Sequence, residues 1–251
     1  MTAPHFFVED LTGVAAGDTV TLSGPDSRHA LRALRLRPGE PVTVADGAGW
    51  FVRGALVGEK DGGLAAIEAF EVESLSVPSP AVTVAMAPPK GDRLAWAVQK
   101  LAEIGVDVLL LLRGSDRAVR RASADREATQ RERLQRIARE AAMQSRRPFV
   151  MDVGFSALDD VLLSDTPIEA VLLLWEGATL PLGQALPGPS DPMPGAVRLV
   201  VGPEGGFSEA ELDLAASAGA QPVSLGGGIL RTETAALVSA AVTLSAFGRL
   251  G

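Results

Sequence analysis

The 251-residue sequence contains no cysteine, and that absence closes off a group of chemistries. Disulfides, thiolate metal sites, C-x-x-C redox exchange and a cysteine nucleophile are all excluded. Histidine is nearly as scarce. His5 and His29 are the only two, too few for a histidine-rich centre, so no metal is expected. Long apolar runs are missing as well. The longest, Val106–Leu112 and Ile168–Trp175, are interrupted by Asp107 and Glu169, well short of the roughly 18–20 residues a bilayer demands. The first ten residues, MTAPHFFVED, lack the basic flank and apolar stretch of a secretory signal. The expectation is a soluble, cytoplasmic, globular protein with no membrane association. With 47% hydrophobic and 22% charged residues, the chain is too apolar for a disordered one and long enough for one large domain or two smaller ones. Its chemistry must rest on carboxylates, arginines, hydroxyls, backbone groups or a bound cofactor.

Positive charge is in deficit overall, with a net charge of −8, which excludes a wholly basic nucleic-acid binder. Its distribution says more than the total. From Arg113 to Arg147, eleven arginines face Asp116, Asp125, Glu127, Glu132 and Glu140, a local balance of +6. A second cluster, Arg28, Arg32, Arg35 and Arg37, is opposed only by Asp26. Beyond Pro148 the balance reverses to −9. Two basic patches on an acidic body suit a protein that touches phosphate with defined surfaces. Either patch alone also reads as a solvated, salt-bridged helix face.

The pattern of the chain changes near residue 76. Before it, Thr19–Leu22, Pro41–Ala45, Trp50–Val57 and Leu64–Val72 are strand-length runs, with Asp46-Gly47-Ala48-Gly49 as a hairpin connection. A helix is expected over Ser27–Leu36, giving a small β-barrel with a basic helix. Ser76-Val77-Pro78-Ser79-Pro80 reads as a linker. After it, strands expected at Ala81–Ala87, Val106–Leu112, Ala170–Leu174, Val197–Val201 and Pro222–Leu225 alternate with helices. The first of these helices has Asp92 as its expected cap and Leu94, Val98, Leu101 and Gly105 along one stripe. The others are expected over Asp125–Arg147, Ser156–Leu163, Ser208–Ala218 and Thr232–Phe247, with a loop over Gly177–Gly195. Alternation of this kind implies an α/β fold with a mostly parallel sheet covered on both faces. Trp96 and Trp175 are expected in the core; Trp50 and Phe51 fit either core or base stacking.

Two glycine-rich loops stand out in the second half. In Val201-Gly202-Pro203-Glu204-Gly205-Gly206-Phe207-Ser208, a strand ends and a helix begins, with Ser208 and Glu211 forming an S-x-x-E capping box. Ser224-Leu225-Gly226-Gly227-Gly228-Ile229-Leu230-Arg231-Thr232-Glu233-Thr234-Ala235 again joins a strand end to a helix start. Neither is a G-x-G-x-x-G fingerprint or a P-loop. In open α/β sheets ligands bind at the carboxyl ends of strands, where glycine lets them approach the backbone.

VGPEGGFS followed by LGGGILRTETAAL resembles the C-terminal signature of the bacterial small-subunit ribosomal RNA uridine-N3 methyltransferases, the RsmE family of the SPOUT class. Lys90-Gly91-Asp92-Arg93, Gln99–Val106, Arg117-Ala118-Val119 and Glu140–Arg146 resemble further segments of that family, and His29, Leu34, Arg35, Gly39 and Asp46-Gly47 resemble its PUA-like N-terminal domain. The family often has a larger pair where this chain has Gly227-Gly228, and a proline that Leu110-Leu111-Leu112 lacks.

The resemblance implies a PUA-like RNA-binding β-barrel over residues 1–75 and, over 76–251, a SPOUT methyltransferase domain with a trefoil knot that binds S-adenosylmethionine. It further implies a homodimer acting on 16S ribosomal RNA, within the small subunit. Cofactor contacts carried over are Gly202, Gly205 and Gly206 from the first loop, and Leu225, Gly226, Ile229, Leu230 and Thr234 from the second. Arg231 is the expected stabiliser of negative charge on the base, with Glu204 or Glu233 as proton acceptor. Arg28, His29, Arg32, Arg35, Arg113, Arg117, Arg120, Arg121 and Arg147 are the expected RNA contacts. Glu140, Gln144 and Arg147 either line the substrate cleft or form a solvated helix face. A SPOUT enzyme acting on a ribose 2′-hydroxyl or another base, and a non-catalytic ribosome-assembly factor, are the alternatives. A dinucleotide oxidoreductase is more distant, since the fingerprint is missing.

Overall fold

Short alternating runs before residue 77 and longer apolar runs after it build two different sheets in the computed structural model, which describes residues 3–60, 62–113, 124–163, 169–188 and 192–250. The chain divides into two units: Met1–Val77 with Ala142–Val150, and Pro78–Ala141 with Met151–Gly251.

In the first unit the strands are β1 (His5–Phe7), β2 (Thr19–Thr21), β3 (Pro41–Ala45), β4 (Trp50–Lys60) and β5 (Leu64–Ser74), in the order β1-β3-β4-β5-β2. The sheet curls as a half-barrel around Phe6, Leu11, Leu22, Val44, Val52, Leu56 and Ile67, all buried. Pairing is antiparallel except between β1 and β3. With three residues, all buried, β1 has no alternation to reveal it in the sequence. The expected helix at 27–36 is two pieces: α1 (Gly24–Arg28), then one π-helical turn over His29–Ala33. Buried Ser27 fixes α1 on the sheet. Its Oγ donates to the Leu22 carbonyl at 3.1 Å and accepts the Ala65 amide at 2.9 Å. His5 is buried between Phe7 and Phe51, and desolvation lowers its pKa to about 4.

The second unit holds a sheet of six parallel strands in the order β11-β9-β10-β6-β7-β8. They are β6 (Ala81–Met86), β7 (Val108–Leu112), β8 (Asp152–Ser156), β9 (Glu169–Leu174), β10 (Ala196–Val201) and β11 (Gln221–Val223). Near-continuous apolar strands are buried on both faces, as parallel sheets require. One face packs on α2 (Arg93–Ile104), α3 (Ala124–Ser145), α5 (Leu182–Ala185) and α7 (Thr232–Ala246), through Leu101, Leu134, Leu182 and Leu244. The other packs on α4 (Leu158–Leu162) and α6 (Glu209–Ser217), through Leu162 and Ala215.

Strand β8 is not among the expected elements; it ends at Ser156, where the expected helix begins, and that helix is observed as α4. Gln135 of α3 accepts the Val153 amide and donates to the Met151 carbonyl, while Arg131 Nε donates to the Val153 carbonyl. These side chains, distant in sequence, satisfy an otherwise open strand edge. Asp92 occupies the N-cap of α2 but makes no capping bond, because its backbone is already helical. Trp96 is 42% exposed rather than core. It lies about 200° around the helix from Leu94 at 100° per residue, on the face opposite the buried stripe. The chain end is clamped by Arg249, whose two Nη atoms meet both oxygens of Asp107 at 2.7 and 2.8 Å and also donate to the carbonyls of Pro80 and Gly105. Among the described residues, no helix is long and apolar enough to cross a membrane.

Candidate active site

Strands β11, β9 and β10 are neighbours, and each runs into a loop at its carboxyl end. Those three loops enclose a pocket of about 230 Å³. The first glycine loop lines it with Gly202, Pro203, Glu204, Gly205, Gly206 and Phe207, and the second with Ser224, Leu225, Gly226, Gly228, Ile229 and Leu230. Trp175 and Glu176, following β9, complete one side. Thr232 joins the two loops directly: its Oγ1 donates to the Gly202 carbonyl at 3.1 Å, across 30 residues of sequence.

Local chemistry sets the shape of the first loop. The expected capping box is complete. Ser208 Oγ accepts the Glu211 amide and the Glu211 carboxylate accepts the Ser208 amide, at 3.3 and 2.7 Å. Gly206 has φ +70°, a conformation that costs other residues roughly 1–2 kcal/mol. At Gly202, a Cβ would meet the Phe207 ring at 3.0 Å. These glycines answer to backbone geometry and close packing, in keeping with the expectation that backbone atoms face the ligand.

Seven of the eight residues expected to hold a cofactor line this pocket: Gly202, Gly205, Gly206, Leu225, Gly226, Ile229 and Leu230. Thr234 lies outside the lining, on α7, and Thr232 lines it instead. Of the expected catalytic residues, Glu204 is in the lining. Arg231 is the exposed N-cap residue of α7, and Glu233 is buried in the first turn of that helix.

A residue given no role in the sequence reading connects the two acids. Arg93 Nη1 is 2.9 Å from Glu204 Oε1 and 3.5 Å from Glu233 Oε1. The guanidinium is held more firmly protonated by its hydrogen bond to Glu204, with Glu233 adding to the effect. Only 8% of the Glu233 side chain is exposed, and its Oε2 is buried without a hydrogen-bond partner. A lone buried carboxylate oxygen is costly, so Glu233 depends on Arg93 for compensation. Nothing local announces this pairing, because 111 residues separate Arg93 from Glu204. The same holds for Trp175, which lines the pocket rather than the core. Glu176 follows the strand end just as the glycine loops do, and that position is the signal by which it could have been found.

The expected RNA contacts are scattered. Arg28, His29, Arg32 and Arg35 are all exposed along α1 and the turn after it, and His29 presents its ring edge-on to Phe6. Arg113 is bound to Glu127 through Nε and Nη2 at 2.9–3.1 Å, which raises its pKa. Arg147 is partly buried in the first unit, where its amide donates to the Ala142 carbonyl. Arg117, Arg120 and Arg121 lie outside the described residues. Glu140 and Gln144 are exposed on α3. Trp50 packs partly buried on the first unit's core, and Phe51 stacks on His5. Among the described residues no group of histidine, aspartate and glutamate could hold a metal ion.

Similarity to known proteins extends over nearly the whole chain. A family model described as RNA methyltransferase domain matches residues 77–244. Over 257 aligned residues the chain is 34% identical to ribosomal RNA small subunit methyltransferase E of Mycobacterium bovis, covering 100% of this chain and 93% of the relative. It is 33% identical to the Synechocystis protein of that name, over 89% of this chain and 72% of the relative. The crystal structure of ribosomal RNA small subunit methyltransferase E from Neisseria gonorrhoeae, bound to S-adenosyl methionine, superimposes with a TM-score of 0.83 at 30% identity, covering 97% and 98% of the two chains. The two glycine loops, the parallel sheet that brings them together and these full-length similarities lead to one placement: the chain belongs to the RNA methyltransferase domain family and, within it, to the ribosomal RNA small subunit methyltransferase E group.

Proposed function

We propose that this protein uses S-adenosylmethionine to methylate N3 of a uridine in 16S ribosomal RNA. One observation carries the reading: both glycine loops of the family signature line a single pocket at adjacent strand ends. The pocket suits that cofactor. Backbone amides and carbonyls around Gly202, Gly205, Gly206, Leu225, Gly226, Ile229 and Leu230 supply polar groups beside the apolar side chains of Trp175, Phe207, Leu225, Ile229 and Leu230, a mixture suited to a cofactor site. The lining contains acids and no basic side chain, which suits a positively charged ligand. When bound, the cofactor supplies an activated methyl group on a sulfonium sulfur.

The protein's own contribution is to hold the base and manage its proton. Uridine N3 is protonated and weakly nucleophilic near neutral pH, so the site must favour its anion. Arg231, free of any hydrogen bond or ion pair with a described side chain and next to the pocket residue Leu230, is placed to stabilise that negative charge. Glu204, which lines the pocket, and Glu233, whose buried Oε2 has no hydrogen-bond donor among the described residues, are the two candidate proton acceptors, and Arg93 pairs with both. Positioning supplies a further ~7–11 kcal/mol when the geometry is good. Cysteine-adduct chemistry at uridine C5 is excluded by composition, whereas nitrogen methylation needs no covalent intermediate.

The same reading assigns residues 1–75 to a PUA-like RNA-binding domain and 76–251 to the knotted catalytic domain. Arg28, His29, Arg32 and Arg35 would contact phosphate from their exposed helical segment; such contacts position RNA without specifying sequence. Ile229, Leu230, Val238 and Val242 are exposed on the second loop and α7, an apolar stripe that supports a homodimer. A small ribosomal subunit as substrate would be consistent with a cytoplasmic enzyme. The test is transfer of a tritiated methyl group to undermethylated small subunits, followed by nucleoside identification. N3-methyluridine is expected; a 2′-O-methylated nucleoside or another methylated base would overturn the assignment.

A further inference from the structure

The pocket carries a charge that the chemistry above does not use. Its lining contains two carboxylates, Glu176 and Glu204, and no lysine, arginine or histidine. Glu204 is compensated by Arg93 at 2.9 Å. Glu176, two residues beyond the end of β9, makes no hydrogen bond or ion pair with a described residue. Its carboxylate lies at the pocket rather than pointing away from it. Its Oε1 lies so close to Gly206 that a Cβ on that glycine would come within 3.0 Å of it. The first glycine loop and the end of β9 thus place at the cofactor site a negative charge that no described side chain compensates.

A methyl donor of the sulfonium type and its spent product differ in one respect that such a charge can sense. S-adenosylmethionine carries a sulfonium and an ammonium against one carboxylate, a net charge of about +1 at neutral pH, with both amino-acid groups ionised. Loss of the methyl group converts the sulfonium to a neutral thioether, and S-adenosylhomocysteine has no net charge. Shape, adenine, ribose and amino-acid groups are shared, so apolar and backbone contacts discriminate poorly between the two. A carboxylate in the lining does discriminate, because its field acts on net charge. We infer that Glu176 is a specificity-determining residue: its carboxylate makes the pocket prefer the cationic donor over the neutral product and so favours product release after each turnover. The inference rests on the S-adenosylmethionine reading given above.

Calorimetric titration of the full-length protein with S-adenosylmethionine and with S-adenosylhomocysteine tests it, using the wild type, Glu176→Gln and Glu176→Asp. Glu176 is exposed, so solvent screening limits the effect to roughly two- to fivefold. The wild type is expected to favour the donor; Glu176→Gln should lose that preference through weaker donor binding while product affinity stays within about twofold; Glu176→Asp, which keeps the charge, should retain part of it. The wild-type preference should also shrink between low and high salt, a readout that needs no variant. Equal weakening of both ligands in Glu176→Gln would assign the side chain to a shared group such as the ribose and overturn the inference, as would an unchanged preference or a salt-independent one. Each of these three results leaves donor binding, and the functional reading, in place. A wild type that binds neither compound would overturn both.

Discussion

The two glycine loops look alike in sequence, but their glycines work differently. In the first, Gly202 packs against the Phe207 ring and Gly206 takes a left-handed φ with the Glu176 carboxylate against it. The capping box then pins the loop to α6. In the second, Cβ atoms on Gly226, Gly227 and Gly228 would meet nothing within 4 Å, and Ile229 is 91% exposed. One loop is closely packed, so an added Cβ at Gly202 or Gly206 requires a neighbouring side chain to give way. The other is open, tied down at its start by Ser224 and at its end by Thr232. Glycine in the first loop permits close packing; in the second, Gly226 is required by its φ of +115°, while Gly227 and Gly228 leave room for whatever the pocket and the neighbouring apolar surface receive. It follows that the departure from the family at Gly227-Gly228 falls on the loop that can absorb it.

Substitutions can break or sharpen this contrast. The largest effect is expected at Arg231, where the open loop meets α7. Arg231→Ala should lower turnover by roughly 100- to 1,000-fold with cofactor affinity changed by less than about tenfold, measured by single-turnover kinetics and calorimetry. Equal losses in both would make Arg231 a binding residue. Next comes Gly206→Val, which forces a β-branched residue to φ +70° and into Glu176. A cost of about 1–2 kcal/mol in the left-handed region alone should weaken cofactor binding roughly tenfold or more. Replacing Arg28, Arg32 and Arg35 together lies outside both loops. It should weaken RNA binding and flatten its logarithmic salt dependence by about two, leaving cofactor affinity untouched; an unchanged slope would remove that segment from the RNA surface. The smallest effect belongs to Gly227→Ala, in open space with an ordinary φ. Stability should move by less than about 0.5 kcal/mol in thermal unfolding, and a large loss there would erase the distinction between the loops.

What the sequence revealed depended on how local each signal is. Strands β6, β7, β9 and β10 were legible because buried parallel strands are continuous apolar runs, and α6 because its capping box lies within four residues. The pocket itself followed from one positional rule, that ligands sit at strand carboxyl ends. Signals spread across the chain were not legible. Strand β8 depends on Gln135 and Arg131 to cover its edge. The role of Arg93 depends on Glu204 and Glu233, more than a hundred residues away. Thr232 sits inside the second motif, but its bond to the Gly202 carbonyl appears only once the loops meet.

The central claim is that the two loops form one site for one cofactor. A crystal structure of this protein grown with S-adenosylmethionine tests it most directly. The account predicts electron density for one bound molecule in contact with both Gly202–Gly206 and Leu225–Leu230. Density on only one loop, or a cofactor bound elsewhere on the chain, would contradict it.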